Sequence, residues 1–349
     1  MQDKRSSLFS LIAFILTVAI MATFFISIIY HFFYFPLPSE NSQIILYSNQ
    51  LNHSLKRVFT KALISAKKEI IAHSYALSDA QLISILLKKT KELNHVEIIT
   101  DSKTFISSFE PQKKALNWKE IKSSGLMHEK ILLIDDYSCF LGTANMTAES
   151  LMMHDNLVLG FYSKELYLFL KKYTENMHLI KKIKNREKAQ FFINNQLVDL
   201  WMLPFKGIEP TQNLLNEIDQ AKRSIYVSMF TLTHPQIISS LIQAHQRGVR
   251  VKIFLDKTAS KGASIKARSE LLRSSVPLYI SQGIQLLHHK MVLIDESKFI
   301  LGSANWTSAA FKKNHDFYLC LSPLSKKQTF ELLKLFKQIE KECGRDSFD

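Results

Sequence analysis

Residues 127–147 read MHEKILLIDDYSCFLGTANMT, and residues 287–307 read LHHKMVLIDESKFILGSANWT. Both fit H-x-K-x4-D-x6-G-[ST]-x-N. The first copy uses His128, Lys130, Asp135, Gly142, Thr143 and Asn145; the second uses His288, Lys290, Asp295, Gly302, Ser303 and Asn305. The apolar run between lysine and aspartate reads as a strand. Its period-two alternation puts each His and Lys on one strand face, about 6.5–7 Å apart. A strand that only builds a core has no use for an imidazole beside an ammonium. The FLGTAN and FILGSAN runs that follow read as a second strand ending in a turn, where Asn side chains and backbone N–H groups can converge on one anion.

Outward from these motifs the duplication continues. SAKKEIIAHSYALSD (65–79) lies against QAKRSIYVSMFTLTH (220–234) at an offset of 155, whereas the motifs are offset by 160. The difference predicts a longer loop in the second half, within DKTASKGASIKARSE, where Gly, Ser and charge cluster. In the first half the pattern predicts a helix over 54–67, a strand in EIIAHSYAL, a helix over 79–93 and a strand at VEIITD. The second half repeats that order with QNLLNEIDQAKRS, IYVSMFTL, HPQIISSLIQAHQRG and VRVKIFLD. Strands alternating with helices point to an α/β fold in which each half carries a central sheet. Between the halves, KKYTENMHLIKKIKNREKAQ reads as the exposed basic end of a long helix and FFINNQLVDLWMLPFKG as an extended stretch. The expected organisation is a cytoplasmic N-terminus (1–7), a membrane anchor (8–30), a linker (31–44), a first half (45–190) and a second half (191–349).

The anchor is expected because residues 8–30, LFSLIAFILTVAIMATFFISIIY, carry no charge over a length able to cross the roughly 30 Å hydrocarbon core. Lys4 and Arg5 precede it and no Lys or Arg follows until Lys56, so the positive-inside rule predicts a single-pass protein with a cytoplasmic N-terminus and an extracytoplasmic catalytic domain. The net charge of +14 suits polyanions, whether nucleic acid, anionic lipid or phosphate ester, and by itself names no partner. Cys139, Cys320 and Cys343 have no metal-ligand or disulfide spacing. Cys139 and Cys320 lie in apolar runs and read as small buried hydrophobes.

Two Lys and two Asn, a pair from each half, would surround a tetrahedral oxyanion with charge and donors, as phosphoryl transfer requires. One neutral His can attack phosphorus while a second, protonated, hands its proton to the leaving oxygen. Each motif is followed by a further carboxylate, Asp155 after His128 and Asp316 after His288, at nearly equal spacing. Each is expected to reach the second ring nitrogen of the His in its own half and fix its tautomer.

These motifs resemble the duplicated signature of the phospholipase D superfamily over roughly residues 45–340. The resemblance implies two similar α/β halves packed face to face after the N-terminal transmembrane helix, their motifs meeting in one site. It implies hydrolysis or transphosphatidylation of phospholipid headgroups through a phosphohistidine, with no cofactor and no metal. His128 would be the nucleophile and His288 the acid. Lys130, Lys290, Asn145 and Asn305 would hold the phosphate together with Thr143 and Ser303, and Asp135 and Asp295 would complete the catalytic motifs as supporting members. The partners implied are a phospholipid substrate and the membrane, or nucleic acid for a nuclease of the same superfamily, and no obligate protein. Both motifs are complete, unlike those of the tyrosyl-DNA phosphodiesterase branch, and duplicated, unlike those of the short members that dimerise. Cardiolipin synthases also carry two motifs, but typically with a longer chain and two N-terminal spans.

Overall fold

Short β-rich runs separated by amphipathic segments build two sheets. The computed structural model describes residues 12–25, 35–104, 110–177, 187–205 and 207–347. The first sheet holds β1 (Ile45–Tyr47), β2 (Glu69–His73), β3 (His95–Asp101), β4 (Asn117–Ile121), β5 (Ile131–Ile134), β6 (Ser138–Gly142) and β7 (Val158–Tyr162), in the order β1-β7-β6-β5-β2-β3-β4. The second holds β8 (Lys188–Ile193), β9 (Gln196–Leu203), β10 (Ser224–Met229), β11 (Arg250–Leu255), β12 (Leu278–Ser281), β13 (Lys290–Ile294), β14 (Lys298–Gly302), β15 (Asp316–Ser322) and β16 (Cys343–Arg345). Its order is β16-β12-β11-β10-β13-β14-β15-β9-β8. Its inner seven strands repeat the first sheet position for position, and β8 and β16 are added at the two edges. The expected extended stretch after residue 190 is a hairpin: β8 and β9 turn through Asn194 and Asn195 at φ 49° and 63°, a left-handed conformation that Asn tolerates.

In both halves the HxK strand lies antiparallel to the central parallel pair, β5 against β2 and β13 against β10. Alternation along β13 sends Met291 and Leu293 into one core and Val292 and Ile294 into another. The outer core packs β10 and β11 against the helices Glu209–Asp219 and Pro235–Gln246. The inner core is shared. Leu133, Leu141 and Leu159 of the first sheet meet Leu293, Leu301 and Leu319 of the second, with Leu170 of helix Lys164–Asn176 and Leu335 of helix Lys326–Glu342 in the same cluster. The halves thus share apolar interior, and residues Leu37–Asp349 form one unit. The basic run expected at the end of the first-half helix falls largely on 178–186, outside the described residues.

The expected membrane anchor is corrected. Within the unit Met1–Pro36, the described helix covers residues 12–25, with Phe14, Ile20 and Phe24 exposed. Among the described residues no helix is long and apolar enough to cross a membrane. The rest of the expected span, 8–11 and 26–30, and the expected cytoplasmic segment 1–7 lie outside them. The single-pass topology, the extracytoplasmic placement and the membrane-bound phospholipid partner rested on that anchor and fall with it.

Candidate active site

The two motif histidines stand where each half reaches across to the other. Just before β5, the His128 N–H donates to the His315 carbonyl at 2.7 Å; just before β13, the His288 N–H donates to the Asp155 carbonyl at 3.0 Å. The His315 and Asp155 N–H groups return bonds to Leu126 and Leu286, at 2.7 and 2.9 Å. Each HxK strand is therefore held at its start by a loop of the opposite half.

The same crossing supplies the side-chain partners. His128 Nδ1 lies 2.8 Å from Asp316 Oδ1, and His288 Nδ1 lies 2.9 Å from Asn156 Oδ1. The expectation that Asp155 and Asp316 serve the His of their own half is corrected twice. Asp316 serves the other half's His, and the residue matching it at the motif offset of 160 is Asn156, not Asp155. Asp155 contributes its backbone, and burial, reinforced by Glu342 and Asp256, pushes its carboxyl up to about 7. Asn156 was missed because a search for a second carboxylate passes over an amide. The offset between the motifs was the signal that could have found it.

The amide orientation of Asn156 is set independently, because its Nδ2 donates to the Ser150 carbonyl at 2.9 Å. Its oxygen therefore faces His288 and can only accept, which places the proton on Nδ1 and leaves Nε2 with its lone pair. Asp316 imposes the same tautomer on His128. Thr143 Oγ1 donates to Asn156 Oδ1 and Ser303 Oγ to Asp316 Oδ1, each at 2.7 Å, while the same hydroxyls accept from the Leu157 and Phe317 N–H groups. These hydroxyls, expected to touch phosphate, are instead fully occupied beneath the site. Through them the G-[ST] step of each motif orients the His of the other. Gly142 is required for this approach: a Cβ there would stand 2.4 Å from the Leu157 carbonyl oxygen.

Lys130 and Lys290 are buried at 4% and 2% exposure, and each Nζ donates to the carbonyl of its own motif His. Burial lowers Lys130 to about 7 and, together with the neighbouring Lys130, drives Lys290 well below the ordinary lysine range. Both histidines are pulled down as well. For His128 burial and Lys130 act against Asp316, which opposes them; for His288 burial, Lys290 and Lys130 act with no carboxylate in opposition. Asp316 is held below the usual carboxylate range: burial would raise it, and His128 and Lys130 outweigh that. The four basic groups disfavour one another's charged forms across the two halves, and a bound phosphodiester anion would favour those forms again. Tyr75 and Phe230, also missed in the sequence, wall the site, with ring centroids 5.5 Å from His128 and 5.1 Å from His288. Asn305 accepts from the Thr231 N–H at 3.2 Å, and Asn145 Oδ1 is buried with no partner among the described residues.

The structure does not bring Asp135 and Asp295 into this group. They lie just beyond the far ends of β5 and β13, seven residues from the histidines, which precede those strands. Asp135 accepts from the N–H groups of Lys67, Lys68 and Glu69, and Asp295 from those of Lys222, Arg223 and Ser224. Both sit at φ 51°, in the turn that joins the HxK strand to the next. They anchor that turn to the start of the central strand.

A duplicated α/β frame that brings two His-Lys pairs into mutual electrostatic range defines an enzyme of the phospholipase D superfamily, whose members process phosphodiesters. The chain belongs to the family described as cardiolipin synthase, PLD-like domain, whose model matches residues 59–178 and 214–340. It is 38% identical over 104 residues to a phospholipase D of Rickettsia felis, covering 30% of this chain and 52% of that protein. It is 30% identical over 110 residues to the mitochondrial cardiolipin hydrolase of Mus musculus, covering 31% and 48%. The chain spans about half the length of these curated relatives. Its fold is similar to that of phosphatidylserine synthase from Haemophilus influenzae, with a TM-score of 0.69 at 13% identity over 89% of this chain and 88% of that one.

Proposed function

We propose that the protein is a cardiolipin synthase-like transferase, which moves a phosphoryl ester from a donor phosphodiester to an acceptor alcohol through a phosphohistidine. The observation that carries this reading is the unequal pairing of two tautomer-locked histidines, His128 with a carboxylate and His288 with a neutral amide. In the first step His128 Nε2 attacks phosphorus and the P–O bond to the leaving group breaks. His288, protonated at Nε2, gives that proton to the departing oxygen. A phosphorylated imidazole that keeps its Nδ1 proton stays cationic for the life of the intermediate, so the carboxylate partner suits the nucleophile. His288 needs its charge only transiently, and the nearby lysines make it a ready donor. In the second step His288, now neutral, takes the proton of the incoming alcohol, whose oxygen displaces His128. Water in place of the alcohol gives hydrolysis, the activity named for the Rickettsia and mouse relatives. Lys130, Lys290, Asn145 and Asn305 are the groups we assign to the phosphate oxygens.

The test is to incubate the full chain, with chelator, against detergent-dispersed phosphatidylglycerol plus glycerol and, separately, against single-stranded DNA. Exchange of labelled glycerol into the lipid is the expected outcome, and strand cleavage with the lipid untouched would overturn the reading. For the roles, His288→Asn is expected to accumulate acid-labile phosphate on His128, while His128→Ala abolishes turnover. Trapping in His128→Asn instead would reverse the assignment.

A further inference from the structure

The longer second-half segment, DKTASKGASIKARSE, folds as two short helices, Lys257–Lys261 and Ile265–Arg273. With β12 and β16 they border an open concavity of about 490 Å³. Lys257, Lys261, Arg268 and Arg345 line it against a single carboxylate, Asp346. That carboxylate is taken: Arg268 holds it through two bonds of 2.6 and 2.8 Å, which ties the chain just after β16 to the helix. Among the described residues no carboxylate pairs with Lys257, Lys261 or Arg345. Three unneutralised cations around one concavity repel one another unless an anion sits between them.

The sheet registers place this concavity relative to the histidines. Lys290 is opposite Met229, Met229 opposite Leu255, Leu255 opposite Ile280, and Ile280 opposite Gly344. One row of the sheet thus runs from the motif lysine to the basic wall, and three strand spacings put Ile280 about 14 Å from Lys290. Edge strand β16, which completes the wall, is the addition at that side of the second sheet and has no counterpart beside β4 among the described residues.

We propose that this concavity is an anion subsite for a phosphate-class group, borne by the substrate at a distance from the reacting phosphorus or present as free phosphate. The substrate-borne form rests on the transferase reading above; the binding itself does not. The experiment has two arms. Inorganic phosphate is titrated calorimetrically into the full chain and into Lys257→Ala/Lys261→Ala, two exposed positions whose truncation leaves the core intact. Two sites are expected in the wild type and one in the variant, with Lys257→Arg/Lys261→Arg restoring the second. In the other arm, kcat/KM is compared for two diesters that differ only in a terminal phosphomonoester. A preference for the phosphorylated diester that falls about ten-fold in the Ala variant, the scale of one or two lost charge-assisted bonds, identifies a substrate-borne group. Loss of phosphate binding with the preference unmoved identifies free phosphate. A variant that matches the wild type in both arms overturns the proposal. Wild-type chain that binds phosphate at both sites but turns over no diester instead counts against the transferase reading.

Discussion

At the scale of single residues, the site depends on which atom faces the second nitrogen of each imidazole. Asp316→Asn keeps the shape and the acceptor but removes the charge that supports a phosphorylated His128. We expect kcat to fall on the order of 100- to 10,000-fold, read from initial rates with diester substrate. Asn156→Asp tests the other side. The proposed acid must be protonated to act, and activity is lost as pH rises through its pKa. Wild-type His288 is held well below the ordinary histidine range by burial and by Lys290 and Lys130, so its alkaline limb falls early. A carboxylate 2.9 Å from Nδ1 raises that pKa, so the limb of the kcat profile should move to higher pH. A limb that stays in place in Asn156→Asp would show that His288 is not the group titrating. The histidine and lysine positions were legible in the sequence because the complete motif recurs at a constant offset of 160. Asn156, Tyr75 and Phe230 were not, since each meets its histidine only through loop geometry.

At the scale of elements, the motif divides into two ends with different work. The His-x-Lys end opens into the site, and the Asp end ties the strand turn to the helix-to-strand junction of the same half. Asp135→Ala and Asp295→Ala are each expected to lower stability by about 2 kcal/mol, the scale of losing charged acceptors for three backbone N–H groups at a left-handed turn, while kcat stays near wild type. Urea denaturation beside an activity assay checks this. A loss of kcat with unchanged stability would return these residues to the chemistry. The order of helices and strands could be read from periodicity, because the apolar repeat of each element is local. The β8–β9 hairpin could not, because the Asn194-Asn195 turn interrupts a run whose residues read as uniformly extended. The apolar N-terminal segment misled in another way: its hydropathy predicts a span, yet among the described residues no helix is long and apolar enough to cross a membrane.

At the scale of the whole molecule, neither half is complete. The first half holds His128 but lacks Asp316; the second holds His288 but lacks Asn156, and the leucines of both sheets share one core. Residues 37–186 and 187–349 made separately, which leaves β8 whole, are expected to expose that core, bind a hydrophobic dye and show no turnover, and to regain activity when coexpressed. Activity in either half alone would refute the crossed arrangement. The sequence by itself determined the duplication, the α/β class and the histidine and lysine pairs, because each is written in local spacing and repeated at a constant offset. Only the tertiary structure decided which residue orients which histidine. Those partners lie 188 and 132 positions apart, brought together by two loops that cross between halves, and no periodicity within either half records that contact.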